Sequence, residues 1–343
     1  MKQLLNTLFV TTQGVYLSKN GDTVEVLHEQ QTKLRVPIHT LGGIVCFGNV
    51  TCSPFLMGLC GEQKVALSFL TEHGRFLARV YGPVCGNVLL RKEQYRRSDN
   101  LVVSASIARS IVMAKIANSR VVLLRALRDR PDTKCKEKIE KALLDLVQNL
   151  EELKQPRDLD GIRGIEGVSA TNYFGCFDDL ITANKDAFYF HQRSRRPPLD
   201  NVNALLSFLY TLLVHDVQAA LESVGLDPAV GFLHRDRPGR PGLALDIMEE
   251  FRAYLADRLA LSLINRQQIK SDGFHTTESG AVTMDDETRK KVLIAWQKRK
   301  QEEIIHPFLQ EKILVGLLPF VQAMLMARFL RGDLEGYPPF LWR

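Results

Sequence analysis

The amino-acid sequence predicts an α+β protein, with a small N-terminal β domain followed by a larger all-α domain that carries the functional site. Before residue 83 the chain contains short runs of β-branched and aromatic residues separated by turns, whereas beyond it long stretches carry apolar residues at spacings of three and four. A length of 343 residues is enough for two domains that each bury a core. We therefore assign residues 1–84 to the β domain, 85–95 to a linker and 96–343 to the helical domain.

The β domain is predicted from strand-forming residues and one hairpin signal. Asn20-Gly21 lies between the second and third strands and favours a two-residue turn. A short helix is expected over residues 53–60. The expected strands cover residues 8–10, 14–17, 23–27, 43–47, 65–70 and 76–81.

The helical domain is predicted from amphipathic stretches separated by polar loops. Loops rich in Pro and Arg interrupt it at residues 191–198 and 235–241, and the polar stretch 271–286 is expected to form a flexible hairpin. The expected helices cover residues 104–128, 134–152, 201–224, 243–265, 288–301 and 313–331.

Composition sets limits on the function. The formal net charge of +6 permits a nucleic-acid partner without establishing one. The six cysteines form no CxxC pair, so we expect reduced, mostly buried thiols rather than a zinc ribbon or a disulfide framework. We see neither a signal peptide nor a run approaching the roughly 20 apolar residues of a bilayer span, and therefore expect a cytoplasmic protein.

Glu166 is the first candidate metal ligand. An apolar helical stripe runs through Ala170, Tyr173, Phe174 and Phe177, and extending it back by one turn places Glu166 where an inward-facing hydrophobe is expected. A buried acid must be paired, protonated or bound to a metal ion. Alternatively, Glu166 lies at a frayed helix start, where the helix dipole favours an acid.

A second set of acids follows a histidine. Asp246, Glu249 and Glu250 lie at i, i+3 and i+4, so on a helix they form one acidic face that a divalent cation would neutralise. The alternative is a solvated face with Arg252 and Arg235 as partial counter-ions.

His234 precedes these acids, in a position from which a loop can present an imidazole; a purely structural histidine is the alternative. Oxygen ligands with one imidazole suit Mn²⁺ and tolerate Mg²⁺, whereas a zinc hydrolase more often uses two histidines or thiolates.

Arginines are concentrated in the two loops beside these candidates. The guanidinium group matches phosphate oxygens bidentately, so we expect these loops to bind phosphate groups; the alternative is charge that only confers solubility. The predicted phosphate-binding residues, which would be DNA-binding residues if the partner is DNA, are Arg193, Arg195, Arg196, Arg235, Arg237 and Arg240.

Three ordered motifs carry a resemblance to a known family. They are Gly164-Ile-Glu-Gly167, the segment Arg195-Arg-Pro-Pro-Leu-Asp-Asn-Val-Asn-Ala-Leu-Leu-Ser-Phe-Leu-Tyr210, and His234 followed by Asp246-Ile-Met-Glu-Glu-Phe-Arg252. Together they resemble the signature series of the CRISPR-associated spacer-acquisition integrase, also described as a CRISPR-associated endonuclease. The overall length and short loops most resemble the type I-C version.

The resemblance implies a metal-dependent DNA endonuclease and integrase of antiviral defence, which inserts short foreign fragments into the CRISPR repeat array by 3′-hydroxyl attack. It places the Mg²⁺ or Mn²⁺ ligands on Glu166, His234 and Glu249. Many members have Asp where this chain has Glu249, so Asp246 stays a second candidate, either coordinating the metal ion or orienting its ligands.

The resemblance also implies partners. These are double-stranded DNA, both incoming fragment and repeat, a second copy of the chain joined partly through the β domain, and a smaller spacer-acquisition protein. Two other functions stay open: a metal-dependent DNA-repair nuclease that cuts branched structures without joining strands, and a non-catalytic DNA-binding module whose acidic cluster is structural.

Overall fold

The computed structural model describes residues 5–82 and 88–342, and its N-terminal sheets followed by a largely helical region confirm the predicted α+β class. The strands are β1 (Asn6–Val10), β2 (Tyr16–Asn20), β3 (Thr23–His28), β4 (Gln31–Pro37), β5 (Leu41–Phe47), β6 (Thr51–Cys52), β7 (Ala66–Leu70), β8 (Phe76–Val80), β9 (Phe274–Thr276), β10 (Val282–Met284), β11 (Glu303–Ile305) and β12 (Lys312–Leu314). The α-helices are α1 (Pro54–Glu62), α2 (Val88–Asp99), α3 (Leu101–Asp129), α4 (Lys136–Glu152), α5 (Leu159–Gly175), α6 (Asn201–Ser223), α7 (Gly242–Glu249), α8 (Arg258–Asn265), α9 (Asp286–Lys300) and α10 (Leu318–Leu330).

The chain folds into two compact units whose boundaries differ from the predicted ones. The β unit comprises Met1–Cys85 together with Met284–Gln301, and the helical unit comprises Gly86–Thr283 together with Glu302–Arg343. The prediction that everything from residue 96 onward forms one helical domain is therefore wrong for α9. This helix belongs to the β unit because its Gln297 side chain donates a hydrogen bond to the Thr7 carbonyl at 3.1 Å.

The predicted linker over residues 85–95 is also corrected. Residues 88–95 lie in α2, where the buried Gln94 amide donates to the carbonyl groups of Asp227 and Val230 at 2.7 and 2.8 Å. These long-range bonds attach α2 to the helical unit. Residues 83–87 lie outside the described part of the chain.

The β unit contains two four-stranded sheets, in the orders β1-β5-β7-β8 and β4-β3-β2-β6. The predicted hairpin is confirmed: β2 and β3 pair antiparallel with Asn20 opposite Thr23, and Gly21 adopts a φ of +57° that suits glycine in the turn. Strands β4 and β6 were not predicted, and β4 is mostly exposed, so its sequence lacks the apolar alternation of a half-buried strand.

In the helical unit, the long α3 packs against α4, α5 and α7 and supplies the core around the functional site. The single helix predicted over residues 243–265 is in fact α7 and α8 with a π-helical turn, Arg252–Asp257, between them. The helix predicted over 313–331 begins with strand β12, and the stretch 271–286 contains the expected hairpin, β9 with β10.

By length and composition alone, two helices, α3 and α6, could cross a membrane. Neither is an unbroken run of about 20 apolar residues, because Lys115 interrupts α3 and Asp216 interrupts α6, so the prediction that no such run exists is not contradicted. Half or more of the most apolar stretch of each helix is buried within the structure, and both pack against other helices of their unit. This is the pattern of core helices.

The cysteines of the described residues are free thiols, as predicted. Cys46, Cys60 and Cys176 are buried, and burial raises the pKa of Cys46 to about 12. A thiol with so high a pKa is a poor nucleophile and a poor metal ligand, so it serves as an apolar core group. Cys85 lies outside the described residues.

Candidate metal centre

His234 lies in the loop before α7, where the buried Asp246 carboxylate holds both its ring and its backbone. Asp246 Oδ1 accepts hydrogen bonds from the His234 backbone N–H at 3.0 Å and from ring Nδ1 at 2.6 Å. Its Oδ2 accepts from the backbone N–H groups of Phe232 and Leu233 at 2.6 and 3.0 Å. Because a carboxylate oxygen accepts hydrogen bonds, Nδ1 carries a proton, which leaves Nε2 as the ring nitrogen that can bind a metal ion. The arrangement supports an orienting role for Asp246.

The same loop approaches α7 so closely that residue 231 must be glycine. A Cβ atom on Gly231 would lie 2.7 Å from Asp246 Oδ2 and 2.7 Å from the carbonyl carbon of Gly242. The close approach is what brings three successive backbone N–H groups within reach of one carboxylate. No side chain larger than hydrogen allows it.

Glu166 and Glu249 come from different helices and meet on the ammonium group of Lys115. Glu166 lies on α5, Glu249 ends α7, and Lys115 is in the middle of α3. Lys115 Nζ donates to Glu166 Oε1 and lies 2.8 Å from Glu249 Oε2. The side chains of Lys115 and Glu249 are only 12% and 3% exposed, so solvent screens this pair far less than a surface ion pair.

The position of Glu166 rules out the frayed helix start as its explanation. Helix α5 begins at Leu159, capped by the Asp158 carboxylate, which accepts from the Gly161 backbone N–H at 2.9 Å. Glu166 therefore lies two turns inside the helix, beyond the reach of the N-terminal dipole. Its partner is the Lys115 side chain.

Arg252 completes the charge balance around Glu249. Its Nη2 lies 3.1 Å from Glu249 Oε1. Burial by itself would raise the pKa of Glu249, but the charges of Arg252, Lys115 and His234 hold it below its usual range. Glu249 is thus ionised at neutral pH and retains the negative charge that a metal ligand needs.

The three acids of the predicted acidic face are all buried, so the alternative of a solvated face is wrong. They also do not share one environment. Glu250 points away from the other two and accepts hydrogen bonds from Tyr337 Oη at 2.6 Å and from the Phe340 backbone N–H at 2.7 Å. Burial raises the pKa of Glu250 to about 7 even though these donors oppose the shift. Glu250 therefore serves to anchor the C-terminal segment.

Within residues 5–82 and 88–342, no three His, Cys, Asp or Glu side chains converge closely enough to hold a metal ion as they stand. The donor types fit one nevertheless, because Glu166 and Glu249 offer carboxylate oxygens and His234 an imidazole nitrogen. The buried Glu249 Oε2 receives no hydrogen bond of good geometry, and its one close neighbour of opposite charge is the Lys115 ammonium. A cation therefore already lies between the two carboxylates.

The six arginines predicted to bind DNA differ in exposure. Arg195, Arg196, Arg235 and Arg237 are exposed, whereas Arg193 and Arg240 are half-buried. The exposed Arg235 pairs with the equally exposed Asp160 at 2.8 Å, so it is not the counter-ion of the α7 acids that the alternative reading required.

Arg193 is fixed in one orientation by side chains of α6. Its Nη1 donates to Asn203 Oδ1 at 2.6 Å, and its Nη2 donates to Ser207 Oγ at 3.1 Å. Burial lowers its pKa, but the guanidinium group stays charged. Arg193 therefore contributes a fixed positive charge to the site.

A cavity of about 390 Å³ opens beside Glu166 and Lys115. Arg193, Arg195 and Arg252 also line it, so that with Lys115 the basic side chains of the wall outnumber the two carboxylates, Glu166 and Asp257. A cavity of this size and charge suits a phosphate-bearing segment of a nucleic acid.

Tyr210 and Asp257 belong to the wall of this cavity and were not predicted as functional residues. Asp257 accepts hydrogen bonds from Tyr210 Oη at 2.6 Å and from Tyr173 Oη at 3.0 Å. The guanidinium carbons of Arg193 and Arg252 lie 5.2 and 5.0 Å from the centre of the Tyr210 ring. The Tyr210 ring thus holds the guanidinium groups of Arg193 and Arg252 close to it by cation–π contacts.

Lys115 was missed as well, although the sequence contains a signal for it. It interrupts an apolar stretch of α3 in which Ile111, Val112, Ala114 and Ile116 are all buried. A lysine at a buried position requires a carboxylate partner. What the sequence could not show was which carboxylates these are.

Comparison with known proteins identifies a family that this chain resembles over most of its length. The profile of the family described as "CRISPR associated protein Cas1" matches residues 8–298. The CRISPR-associated endonuclease Cas1 1 of Chlorobaculum tepidum is 58% identical over 343 residues, covering 100% of this chain and 100% of that protein.

Two solved structures share the fold. A casposase bound to integration product aligns with a TM-score of 0.85 at 21% identity, covering 99% of this chain and 95% of the other. A Cas6-RT-Cas1–Cas2 complex aligns with a TM-score of 0.84 at 22% identity, covering 100% of this chain and 36% of the other. At such identities the likeness establishes the fold alone.

Proposed function

Because the chain belongs to the Cas1 family of CRISPR-associated proteins, we propose that Glu166, His234 and Glu249 hold a Mg²⁺ or Mn²⁺ ion with which it cuts and joins DNA strands. The predicted family and enzyme class, a CRISPR-associated endonuclease, are confirmed by a relative that spans the whole chain at 58% identity. The metal assignment depends on one observation above all: carboxylates from two different helices meet on a single cation.

Each proposed ligand is prepared by its neighbours. Asp246 fixes the His234 ring so that Nε2 is the ring nitrogen that can bind a metal ion. Arg252 keeps Glu249 ionised despite its burial. When bound, the metal ion polarises the scissile phosphate and lowers the pKa of the attacking water or 3′-hydroxyl.

The basic wall of the cavity positions the DNA backbone. The half-buried Arg193 and Arg252 are held against Tyr210, so their charges are already in place when a phosphate arrives. The exposed Arg195, Arg196 and Arg237 extend this charge outward along the duplex, with Arg235 and Arg240 beside them. Affinity for DNA should fall steeply as salt rises, since these contacts release counter-ions.

The proposed reaction is strand transfer at a repeat boundary. The 3′-hydroxyl oxygen of an incoming fragment forms a bond to phosphorus while the bond to the leaving strand breaks. One phosphodiester replaces another, so the step needs no nucleotide triphosphate. The solved casposase of the same fold is bound to an integration product, which supports joining as well as cutting.

The test is an oligonucleotide assay with a repeat duplex, a fragment bearing a 3′-hydroxyl, and Mg²⁺ or Mn²⁺. We expect joined products from the wild type and at least a 100-fold loss in Glu166→Gln and His234→Ala, with DNA binding retained. Glu140→Gln is the matched control, because it makes the same substitution at an exposed glutamate of α4, which lies 4.0 Å from the exposed Lys136.

Other outcomes of this assay would favour a different function or contradict the metal assignment. Cleaved but never joined DNA would favour the repair nuclease that acts on branched structures. Full activity in either variant would overturn the metal assignment, and DNA binding with neither cutting nor joining would favour a non-catalytic binding module.

We further propose a homodimer formed partly through the β unit, and assembly with the smaller spacer-acquisition protein. The solved complex of the same fold contains Cas1 and Cas2 chains, which supports the second of these partners. Light scattering of the purified chain tests the dimer, and a monomer at micromolar concentration would contradict it. Co-purification with the smaller protein tests the second assembly.

Two finer assignments complete the proposal. Chain length and short loops favour the type I-C version, which predicts preferential integration into type I-C repeats over repeats of other types. The proposed location is the cytoplasm, to be checked by fractionating cells and probing the soluble and membrane fractions.

A further inference from the structure

Lys115 is the cation that, among the described residues, is paired with both carboxylates proposed as metal ligands. It reaches this place from α3, whereas Glu166 and Glu249 come from α5 and α7. Its Nζ is bonded to Glu166 Oε1 and lies 2.8 Å from Glu249 Oε2. A divalent ion shared by the same oxygens would need the same space.

The surroundings of Lys115 explain why an ammonium group is kept there. The Lys115 side chain is 12% exposed, and the buried Glu249 and half-buried Glu166 carboxylates would repel each other without a cation between them. Arg252 forms its ion pair with Glu249, through the other oxygen Oε1, and its charge also acts on Glu166 without an ion pair to it. Lys115 is the cation that contacts both carboxylates directly.

Lys115 also lines the basic cavity, together with Arg193, Arg195 and Arg252. A lysine side chain has a flexible four-carbon stem, so its ammonium can move by rotation about side-chain bonds without any movement of α3. The adjoining cavity offers space for the displaced group and suits an anionic phosphate.

We propose that the Lys115 ammonium is a built-in substitute for the metal ion, which a divalent ion displaces from between Glu166 and Glu249 into the cavity, where it binds a DNA phosphate. The inference rests on the metal site proposed above. It gives Lys115 two successive partners, and it makes metal binding and DNA binding mutually supportive, because the displaced cation gains a new anionic partner.

The first test measures Mn²⁺ binding by electron paramagnetic resonance in the wild type, in Lys115→Met and in the control Lys138→Met. Lys138 also pairs with a carboxylate, Asp179 at 2.7 Å, but it belongs to α4 and its side chain is more than half exposed. We expect Lys115→Met to bind Mn²⁺ about tenfold more tightly, because the ion no longer competes with a tethered cation. Lys138→Met should bind as the wild type does.

Thermal melting supplies a second readout on the same variants. In EDTA, Lys115→Met should melt below the wild type, because the buried Glu249 and the half-buried Glu166 lose the cation between them. Saturating Mn²⁺ should restore its melting temperature by more than it raises that of the wild type. Equal or weaker Mn²⁺ binding in Lys115→Met would overturn the proposal.

A third measurement uses the unaltered chain, so it stands even if Lys115→Met fails to fold. Brief labelling with an amine-reactive acylating reagent, read by mass spectrometry, reports how accessible Lys115 is. Labelling should increase several-fold when Mg²⁺ is added and decrease again when a short DNA duplex is added, with Lys138 as internal reference. If the extent of Lys115 labelling does not change when Mg²⁺ is added, the proposed displacement of Lys115 is wrong.

Failure of this inference can be told apart from failure of the proposed function. If Glu166→Gln abolishes Mn²⁺ binding but Lys115 neither competes nor changes reactivity, the metal site stands and the role of Lys115 is wrong. If the wild type binds no Mn²⁺ in a manner that depends on Glu166, both fail together.

Discussion

The two sides of the proposed metal centre are held by different kinds of partner. On one side, Asp246 and His234 are secured by backbone N–H groups of a loop that packs closely on α7. On the other, Glu166 and Glu249 are secured by the side-chain cation Lys115. Backbone donors cannot leave, whereas a side-chain cation can rotate away. The His234 imidazole therefore has a fixed orientation. Under the proposal above, Glu166 and Glu249 exchange the Lys115 ammonium for a divalent metal ion.

The largest expected effect on activity comes from removing the charge of Glu249, one of the two carboxylates that Lys115 contacts. Glu249→Gln should lower DNA strand transfer at least 100-fold, because the amide supplies neither the charge nor the full donor strength of the carboxylate. Glu249→Asp should keep activity within about tenfold, since the charge remains and only its reach is shortened. Strand-transfer rates at saturating Mn²⁺ provide the measurement, and an active Glu249→Gln would contradict the assignment.

Asp246→Asn tests the side of the proposed site that contains Asp246 and His234, and it should have the next largest effect. The amide nitrogen would face a backbone N–H or the ring Nδ1, so the His234 ring loses its fixed orientation. We expect Mn²⁺ affinity to fall by about 10- to 100-fold and unfolding free energy by about 1–3 kcal/mol. Metal titration and chemical denaturation measure the two quantities, and a loss of metal affinity without any loss of stability would separate the role of the ring from that of the loop.

Asp257 sharpens the comparison, because its carboxylate accepts hydrogen bonds from neutral tyrosine hydroxyls whereas Glu249 contacts cations. Burial raises the pKa of Asp257 from 3.8 to about 6, although Tyr210, Tyr173, Arg252 and Arg193 all oppose the shift. The folded protein then keeps a proton that the unfolded chain has lost, so this contribution to stability is full below pH 3.8 and is lost as the pH rises through about 6.

Asp257→Asn should therefore flatten the dependence of melting temperature on pH between about 4 and 6, where the wild type should lose several degrees relative to the variant. Thermal melts at several pH values in EDTA provide the measurement. Parallel curves for the two proteins would mean that Asp257 is not the titrating group.

The smallest effect on stability is expected for Arg235→Ala, which breaks an exposed ion pair that includes none of the proposed metal ligands. Arg235 and Asp160 are 64% and 68% exposed, so solvent screens the pair and the unfolding free energy should hardly change. The slope of log affinity for duplex DNA against log salt should become shallower by about 1 if Arg235 contacts a phosphate. An unchanged slope would remove Arg235 from the DNA-binding set.

Local patterns in the sequence were enough for many elements and failed at specific ones. The Asn20-Gly21 hairpin and helices α3, α4 and α6 follow from turn chemistry and apolar periodicity, and the structure contains them with small shifts in their ends. The exposed strand β4 and the π-helical turn Arg252–Asp257 were missed, because exposed pairing and extra backbone residues leave no periodic signal.

For the candidate site, the sequence singled out Glu166, His234, Asp246 and Glu249, and the structure brings these four to one region of the helical unit. It could not separate the acids by role. Spacing placed Asp246, Glu249 and Glu250 on one face, but each acquires its environment from a different distant segment: the 231–234 loop, α3 and the C-terminal residues.

The sequence by itself determined the fold class, the family and the residue types of the site, because strand and helix periodicity and ordered motifs are properties of neighbouring residues. Only the tertiary structure decided that α9 belongs to the β unit, that Arg193 is held against Tyr210, and that Lys115 lies between Glu166 and Glu249. Lys115 is 51 residues from Glu166 along the chain. Contacts over such separations depend on how helices pack, and no local pattern encodes that.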